Sequence, residues 1–419
     1  MTTGELSARL RAPAMGPKRN MPAWGWLVII AAGLAVVSVI RMFSGATNLT
    51  SAGAVEAAIA AAVPIALAGL SGLWSERAGV VNIGLEGMMI LGTFGAGWAG
   101  YQWGPWAGVF FGVVCGALGG LLMGVAAITF GVDHIIAGVA VNIVAPGITL
   151  FLSELLFTNA PGGGQRQSPP VGDVTKITVP GVSSWLGAVE DKRWFFVSDL
   201  AGIVRGMTTQ LSLLSVLAAV LIAVSGFVIW RTRFGLRLRS CGEAPYAAES
   251  LGVNVIRYKY IAMTVSGSMA GLGGAFLVVG LKFQDGQTRG LGFIGLASMI
   301  FGNWRPGGLA MGAALFGYTD GVRLYDPDNM AMHAVVLLLA VAMVVVAAMQ
   351  LKQGNRMVAA SGLIIAMLAA WWYFSTDQVP RQLTVAAPYV ITLIVMALAS
   401  QRLRMPKADG LIYRKGGLE

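Results

Sequence analysis

Long apolar runs dominate this chain and leave it few folds to choose from. A helix of about twenty apolar residues crosses the hydrocarbon core of a bilayer, where no water can satisfy an open backbone and only helices or closed barrels satisfy it internally. Such runs recur at residues 24–43, 53–73, 83–100, 106–128, 135–157, 209–230, 258–280, 291–303, 307–323, 332–350, 358–374 and 386–400. Those at 83–100 and 291–303 are short or broken by glycine and are expected as half-helices. The pattern predicts an all-α polytopic membrane protein of about 10–12 transmembrane helices, including short or broken ones.

Charge agrees with this and sets the expected orientation. Charged residues make up 11% of the chain, against about 25% in soluble domains. No polar stretch is long enough for a separate soluble core. The organisation expected is a basic tail at 1–23, a single transmembrane domain at 24–400 and a second basic tail at 401–419. The net charge of +10 gathers at 9–19, 231–239 and 402–415. It marks cytosolic segments against anionic lipid headgroups, not a nucleic-acid surface. Two basic tails place both termini in the cytosol and favour an even number of spans, which puts the long connection at 158–207 outside the cell. The first apolar run has no clear small-residue cleavage site and reads as a retained helix, with a cleaved signal as the alternative. Two cysteines, Cys115 in an apolar run and Cys241 in a polar one, make no disulfide framework.

Glycine is the second signal. Gly104, Gly108, Gly112, Gly116, Gly120 and Gly124 recur every four residues and predict a small-residue groove where a neighbouring helix can approach backbone to backbone. Gly95, Gly97 and Gly100 spell a dinucleotide-type motif, but no strand precedes them and that reading is discarded. Ile83 to Met88 and Ile294 to Met299 echo one another, each opening a short broken apolar segment. Paired interrupted helices point to a transport path built from repeats; chance likeness between glycine-rich apolar stretches is the alternative.

One polar island, 231–255, separates two long apolar runs. Arg231, Arg233, Arg237 and Arg239 place it on the cytosolic face. Pro245 suits a first helical turn, Ala247, Ala248 and Glu249 favour helix, and Gly252 can end it. About two turns are too short to be stable alone. Such a helix suits docking into a groove of another protein, and an ordinary solvated loop is the competing reading. Polar residues at membrane depth are costly and so are functional candidates: Asn82, Glu86, Asp133, His134, Asn142, Glu154 and Asn303. Asp133 and His134 lie at a helix end and read as capping or headgroup-level residues, and Glu154 lies near the outer surface. There is no phosphate-binding loop, no H-E-x-x-H and no C-x-x-C, so no catalytic residue, metal site or resident cofactor is expected. Energy must come from an ion gradient or from another subunit.

Four stretches together resemble permease subunits of the ATP-binding-cassette importers that handle branched-chain amino acids, monosaccharides and nucleosides. They are Ser75 to Met89 (SERAGVVNIGLEGMM), Arg239 to Val253, Ser266 to Ala275, and Ile300 to Pro306 (IFGNWRP). The wording of the first and last is similar to the nucleoside and simple-sugar branch. The resemblance implies a permease fold in the bacterial inner membrane and a path formed with a second, homologous or identical, permease subunit. It further implies a cytosolic ATPase that binds the ATP and an extracytoplasmic substrate-binding protein. By the same resemblance Arg239, Gly242, Glu243, Ala244, Pro245, Ala248, Glu249 and Gly252 would couple to the ATPase; as polar residues at membrane depth, Asn82, Glu86, Asn142 and Asn303 are the candidates for the translocation path, with hydrogen bonding between helices as the competing reading for Asn82 and Asn142. A branched-chain amino acid permease and an ion-coupled secondary carrier are the alternatives.

Overall fold

A computed structural model describes residues 23–326, 330–352, 354–376, 378–380, 383, 386 and 403–416. Each of the first eleven predicted runs is a helix; the one at 291–303 is short as expected, whereas the one at 83–100 is continuous over 19 residues and the break lies before it. In chain order the helices are α1 (Ala23–Ser44), α2 (Ala52–Arg77), α3 (Leu85–Trp103), α4 (Pro105–Gly124, continued by a π turn Val125–Thr129) and α5 (His134–Phe157). Two short helices follow, α6 (Val182–Glu190) and α7 (Val197–Gly206), then α8 (Leu213–Arg231), α9 (Arg233–Glu243) and the six-residue α10 (Pro245–Ser250). The rest are α11 (Val255–Val278), the half-helix α12 (Leu291–Phe301), α13 (Pro306–Tyr325), α14 (Met330–Lys352) and α15 (Arg356–Ser375). The last predicted run, 386–400, and the tail at 1–23 fall outside the described residues but for Ala386 and Ala23.

Among the described residues, seven helices are long and apolar enough to cross a membrane. The chain is an all-α polytopic membrane protein. Its centre is α2 and α11. From Val63 to Glu76 every residue of α2 is buried, and Leu70, Leu73 and Trp74 pack with Met299 of α12 and with Leu309 and Phe316 of α13. By contrast α5, α14 and α15 keep most of their apolar surface outward, as helices facing lipid do.

The glycine groove of α4 receives α11. A Cβ added at Gly116 would lie 2.5 Å from the Gly271 Cα, and one at Gly120 would lie 3.0 Å from the Gly267 Cα. Between two helices in lipid such backbone proximity is the main source of packing attraction, because the tails compete equally for any larger apolar side chain. Gly116→Val is therefore expected to cost at least about 1–3 kcal/mol of overpacking strain, seen as a lower melting temperature of the detergent-solubilised protein. Gly147→Ala is the control: nothing lies within 4 Å of its added Cβ, and no change is expected.

Residues 158–212 form an ordered cap at one end of the bundle, built from α6, α7 and a two-stranded ladder, β1 (Lys176–Ile177) with β2 (Leu211–Ser212). Buried Asp199 of α7 ties it to the bundle: it accepts from the Thr50 hydroxyl and pairs with Arg41 of α1 at 3.1 Å. Glu190 accepts from the Ala52 amide at 3.0 Å and pairs with Arg205 at 3.0 Å. Because α8 spans the bundle, this cap and the 231–255 segment lie at opposite ends.

Candidate functional site: the helix break and the coupling segment

The chain leaves helix between α2 and α3, and three of the predicted path residues organise that break. Asn142 of α5 clamps it from one side: its Nδ2 donates to the Ile83 carbonyl at 2.9 Å and its Oδ1 accepts from the Gly87 amide at 2.7 Å. Asn82, fully buried, donates to the Ser266 hydroxyl at 2.9 Å, and Ser266 shares a further bond of 2.9 Å with Ser71. The Asn82 Oδ1 is buried without a hydrogen-bond partner among the described residues. Glu86, on the first turn of α3, reaches the start of α12. Its Oε1 accepts from the Thr288 hydroxyl at 2.6 Å and the Gly290 amide at 2.8 Å, and its Oε2 from the Gly292 amide at 2.7 Å. The first turn of a helix has amides with no partner inside the helix and a positive dipole end. Glu86 supplies both needs for α12 from another helix. The two echoing segments thus meet, the first holding the start of the helix that carries the second.

Asn303 lies elsewhere, at the far end of α12. Asn303 and Trp304 both take positive φ, 54° and 53°, a conformation that costs a residue with a Cβ about 1–3 kcal/mol and persists only where the surroundings impose it. The Trp304 carbonyl accepts from Arg77 at 2.7 and 3.2 Å, and its indole donates to Glu76. Asp133 caps α5, accepting from the Ile135 and Ile136 amides at 2.9 and 3.2 Å, and Glu154 is exposed.

The 231–255 island is two helices in tandem. Thr232 caps α9, its hydroxyl accepting from the Gly235 amide at 3.1 Å, and Pro245 opens α10. The structure divides the predicted coupling residues into two sets. Gly242, Pro245 and Ala248 are buried, Arg239 and Glu249 are half-buried, and Glu243, Ala244 and Gly252 are exposed. Gly242 sits against the end of α2, where a Cβ would meet the Arg77 carbonyl at 2.5 Å. Ala248 packs with Cys241, Val255 and Tyr413. Burial pushes the Cys241 thiol up to about 11, so it stays protonated and unreactive. The Arg77 and Arg239 guanidinium groups lie 5.2 and 6.0 Å from the Trp230 ring, within cation–π range.

The residue that sequence reasoning left out of the site is Leu251. It is 85% exposed, directly after α10, and borders a cleft of about 380 Å³ flanked by Arg237 and Arg257. A large apolar side chain beside the glycine that ends a short helix was the available signal. Among the described residues no group of three or more His, Cys, Asp or Glu side chains could hold a metal ion.

The profile of the family described as "Branched-chain amino acid transport system / permease component" matches residues 54–347. The guanosine ABC transporter permease protein NupQ of Bacillus subtilis is 38% identical over 272 residues, covering 62% of this chain and 78% of that protein. The nucleoside ABC transporter permease protein NupC of Lactococcus lactis is 31% identical over 362 residues, covering 84% and 93%. The putative glucose ABC transporter permease protein TsgC13 of Haloferax volcanii is 32% identical over 277 residues, covering 65% and 78%. No solved structure matches the chain significantly. The matched region takes in the helix break, the half-helix α12 and the whole 231–255 segment, and the chain belongs to the permease family of branched-chain amino acid transport systems.

Proposed function

We propose that this chain is the membrane-spanning permease subunit of an ATP-driven importer for nucleosides or related simple sugars, working by alternating access with a second permease subunit in a bacterial inner membrane. The observation that carries the mechanism is α10. Through α9 it is tied to α2, where buried Gly242 sits against Arg77, and its own buried Ala248 packs beside Val255 of α11, while Glu243, Ala244 and Leu251 stay outside. A rigidly seated helix with an exposed apolar tip is suited to receive a push from a cytosolic ATPase and pass it to the bundle. The substrate class rests on the printed functions of NupQ, NupC and TsgC13. The 231–255 end and both termini then face the cytosol, and the 158–212 cap faces an extracytoplasmic binding protein.

Asn82, Glu86, Asn142 and Asn303 serve the path through the backbone they hold. They keep the α2–α3 break and the two ends of α12 in register, so that closing the ATPases rocks these broken helices against fixed neighbours. A ligand can shift such an equilibrium only by binding the two states differently, so selection falls to the binding protein and the path holds substrate weakly. The description of the family itself favours amino-acid import as the second reading.

The test is uptake into vesicles containing this chain, its ATPase and its binding protein, with guanosine, glucose and leucine compared with and without ATP. ATP-dependent uptake of guanosine or glucose is expected. Leucine alone would establish the second reading, and uptake that follows an ion gradient without the ATPase would overturn both.

A further inference from the structure

Residues 404–413 form no helix or strand, yet they touch the turn after α12, α9, the α2–α3 break and α10 at the coupling end. The Arg404 amide donates to Asn303 Oδ1 at 2.7 Å, at the strained turn after α12. The Ala408 amide donates to the Gly242 carbonyl at 2.9 Å, and the Lys407 amide donates to Glu243 at 3.4 Å. Gly79, at the helix break with φ +80°, is seated between Gly242 and the Ala408 carbonyl, at 3.1 and 3.2 Å from its virtual Cβ. Tyr413 packs on Tyr246 of α10 with ring centroids 5.3 Å apart.

At the centre of this segment stands a buried acid paired with a second one. Asp409 is 7% exposed, and its carboxyl shares a hydrogen bond with the carboxyl of Glu76. It faces Glu76 at the end of α2, with Lys259 of α11 close by, whose Nζ donates to the Gly79 carbonyl at 3.1 Å. Burial first, and then the Glu76 carboxyl, push the Asp409 carboxyl up to about 9, so it is held as the neutral acid.

We propose that residues 404–413 are a transmission strap that joins the coupling segment to both helix breaks, with Asp409 its central positioning residue. This rests on the importer reading above. Displacing the α9–α10 pair pulls on the Gly242–Ala408 bond. Through the strap the same pull reaches Gly79 at the α2–α3 break and Asn303 at the end of α12. One cytosolic movement thereby acts on the two broken helices together. Without the strap, α9 would move against α2, and α10 against α11, alone.

The experiment uses the full chain with its ATPase and binding protein in proteoliposomes, reading ATPase retained, ATP hydrolysed and guanosine or glucose imported per ATP. For Asp409→Ala the complex should stay assembled with hydrolysis within about twofold of wild type, while import per ATP falls about tenfold, a typical coupling free energy. Asp409→Asn, a neutral side chain of the same shape, should stay near wild type. Arg404→Pro deletes one strap donor at an exposed position and should also lower import per ATP, even where Asp409→Ala fails to fold. Wild-type import per ATP in Asp409→Ala and Arg404→Pro, or a loss confined to assembly, would overturn the strap. Wild-type chain without ATP-driven import of any solute would instead overturn the importer reading on which it rests.

Discussion

Glu86→Ala is expected to leave little folded permease in the membrane. The substitution strands the Thr288 hydroxyl and the Gly290 and Gly292 amides, which all bond the Glu86 carboxyl at 2.6 to 2.8 Å. Each buried donor left unsatisfied costs about 1–3 kcal/mol, so three together remove a large part of an ordinary stability of about 5–15 kcal/mol. Glu86 is 8% exposed, so bulk solvent does not reach the three donors in its place. Glu86→Gln keeps one carbonyl oxygen and should be intermediate. The check is the yield of monodisperse protein after detergent extraction and its melting temperature. Wild-type values for Glu86→Ala would show that α12 does not depend on the cap.

Leu251→Asp should act on the opposite link of the chain, function without fold. With 85% of its surface open, Leu251 adds almost nothing to the core, and the folded subunit should melt as wild type does. Burying a leucine in a partner's groove is worth about 1.5–3 kcal/mol, and an aspartate there adds an unpaired charge. A loss of about 2 kcal/mol lowers affinity for the ATPase roughly thirtyfold, with uptake falling in proportion at limiting ATPase. Ala248→Leu is the contrast. Ala248 is 3% exposed beside Cys241, Val255 and Tyr413, so enlarging it should lower stability first. Co-purification of the ATPase with each variant, beside its melting temperature, separates the two effects. Undiminished ATPase binding by Leu251→Asp would remove Leu251 from the interface.

The helices were legible because a bilayer makes secondary structure a local property. An apolar run without water must bond its own backbone, so run length alone located α1 to α5, α8 and α11 to α15. The groove of α4 was legible for a similar reason: Gly112, Gly116 and Gly120 lie on one face by spacing, whatever helix comes to meet them. The coupling island was visible through its arginines and Pro245. Its division into a buried face and an exposed one was not, because a six-residue helix is too short for periodicity to show which side is packed.

What belonged to the sequence by itself was therefore the class of protein, the positions of its spans, the short segment at 291, and the identity of the polar residues that matter; the segment at 83 proved a continuous helix with the break before it. Tertiary structure alone decided what those residues do. Glu86 finds its partners about two hundred residues later, at Thr288, Gly290 and Gly292. Asn142 holds the backbone at Ile83 and Gly87, and Asn303 accepts from Arg404 in the closing segment. Hydrogen bonds across such separations leave no spacing pattern in the chain, because loop closure makes partners of residues whose neighbours in sequence have nothing to do with one another. Composition can say that a buried carboxyl must be satisfied; only the folded path of the backbone says by which amides.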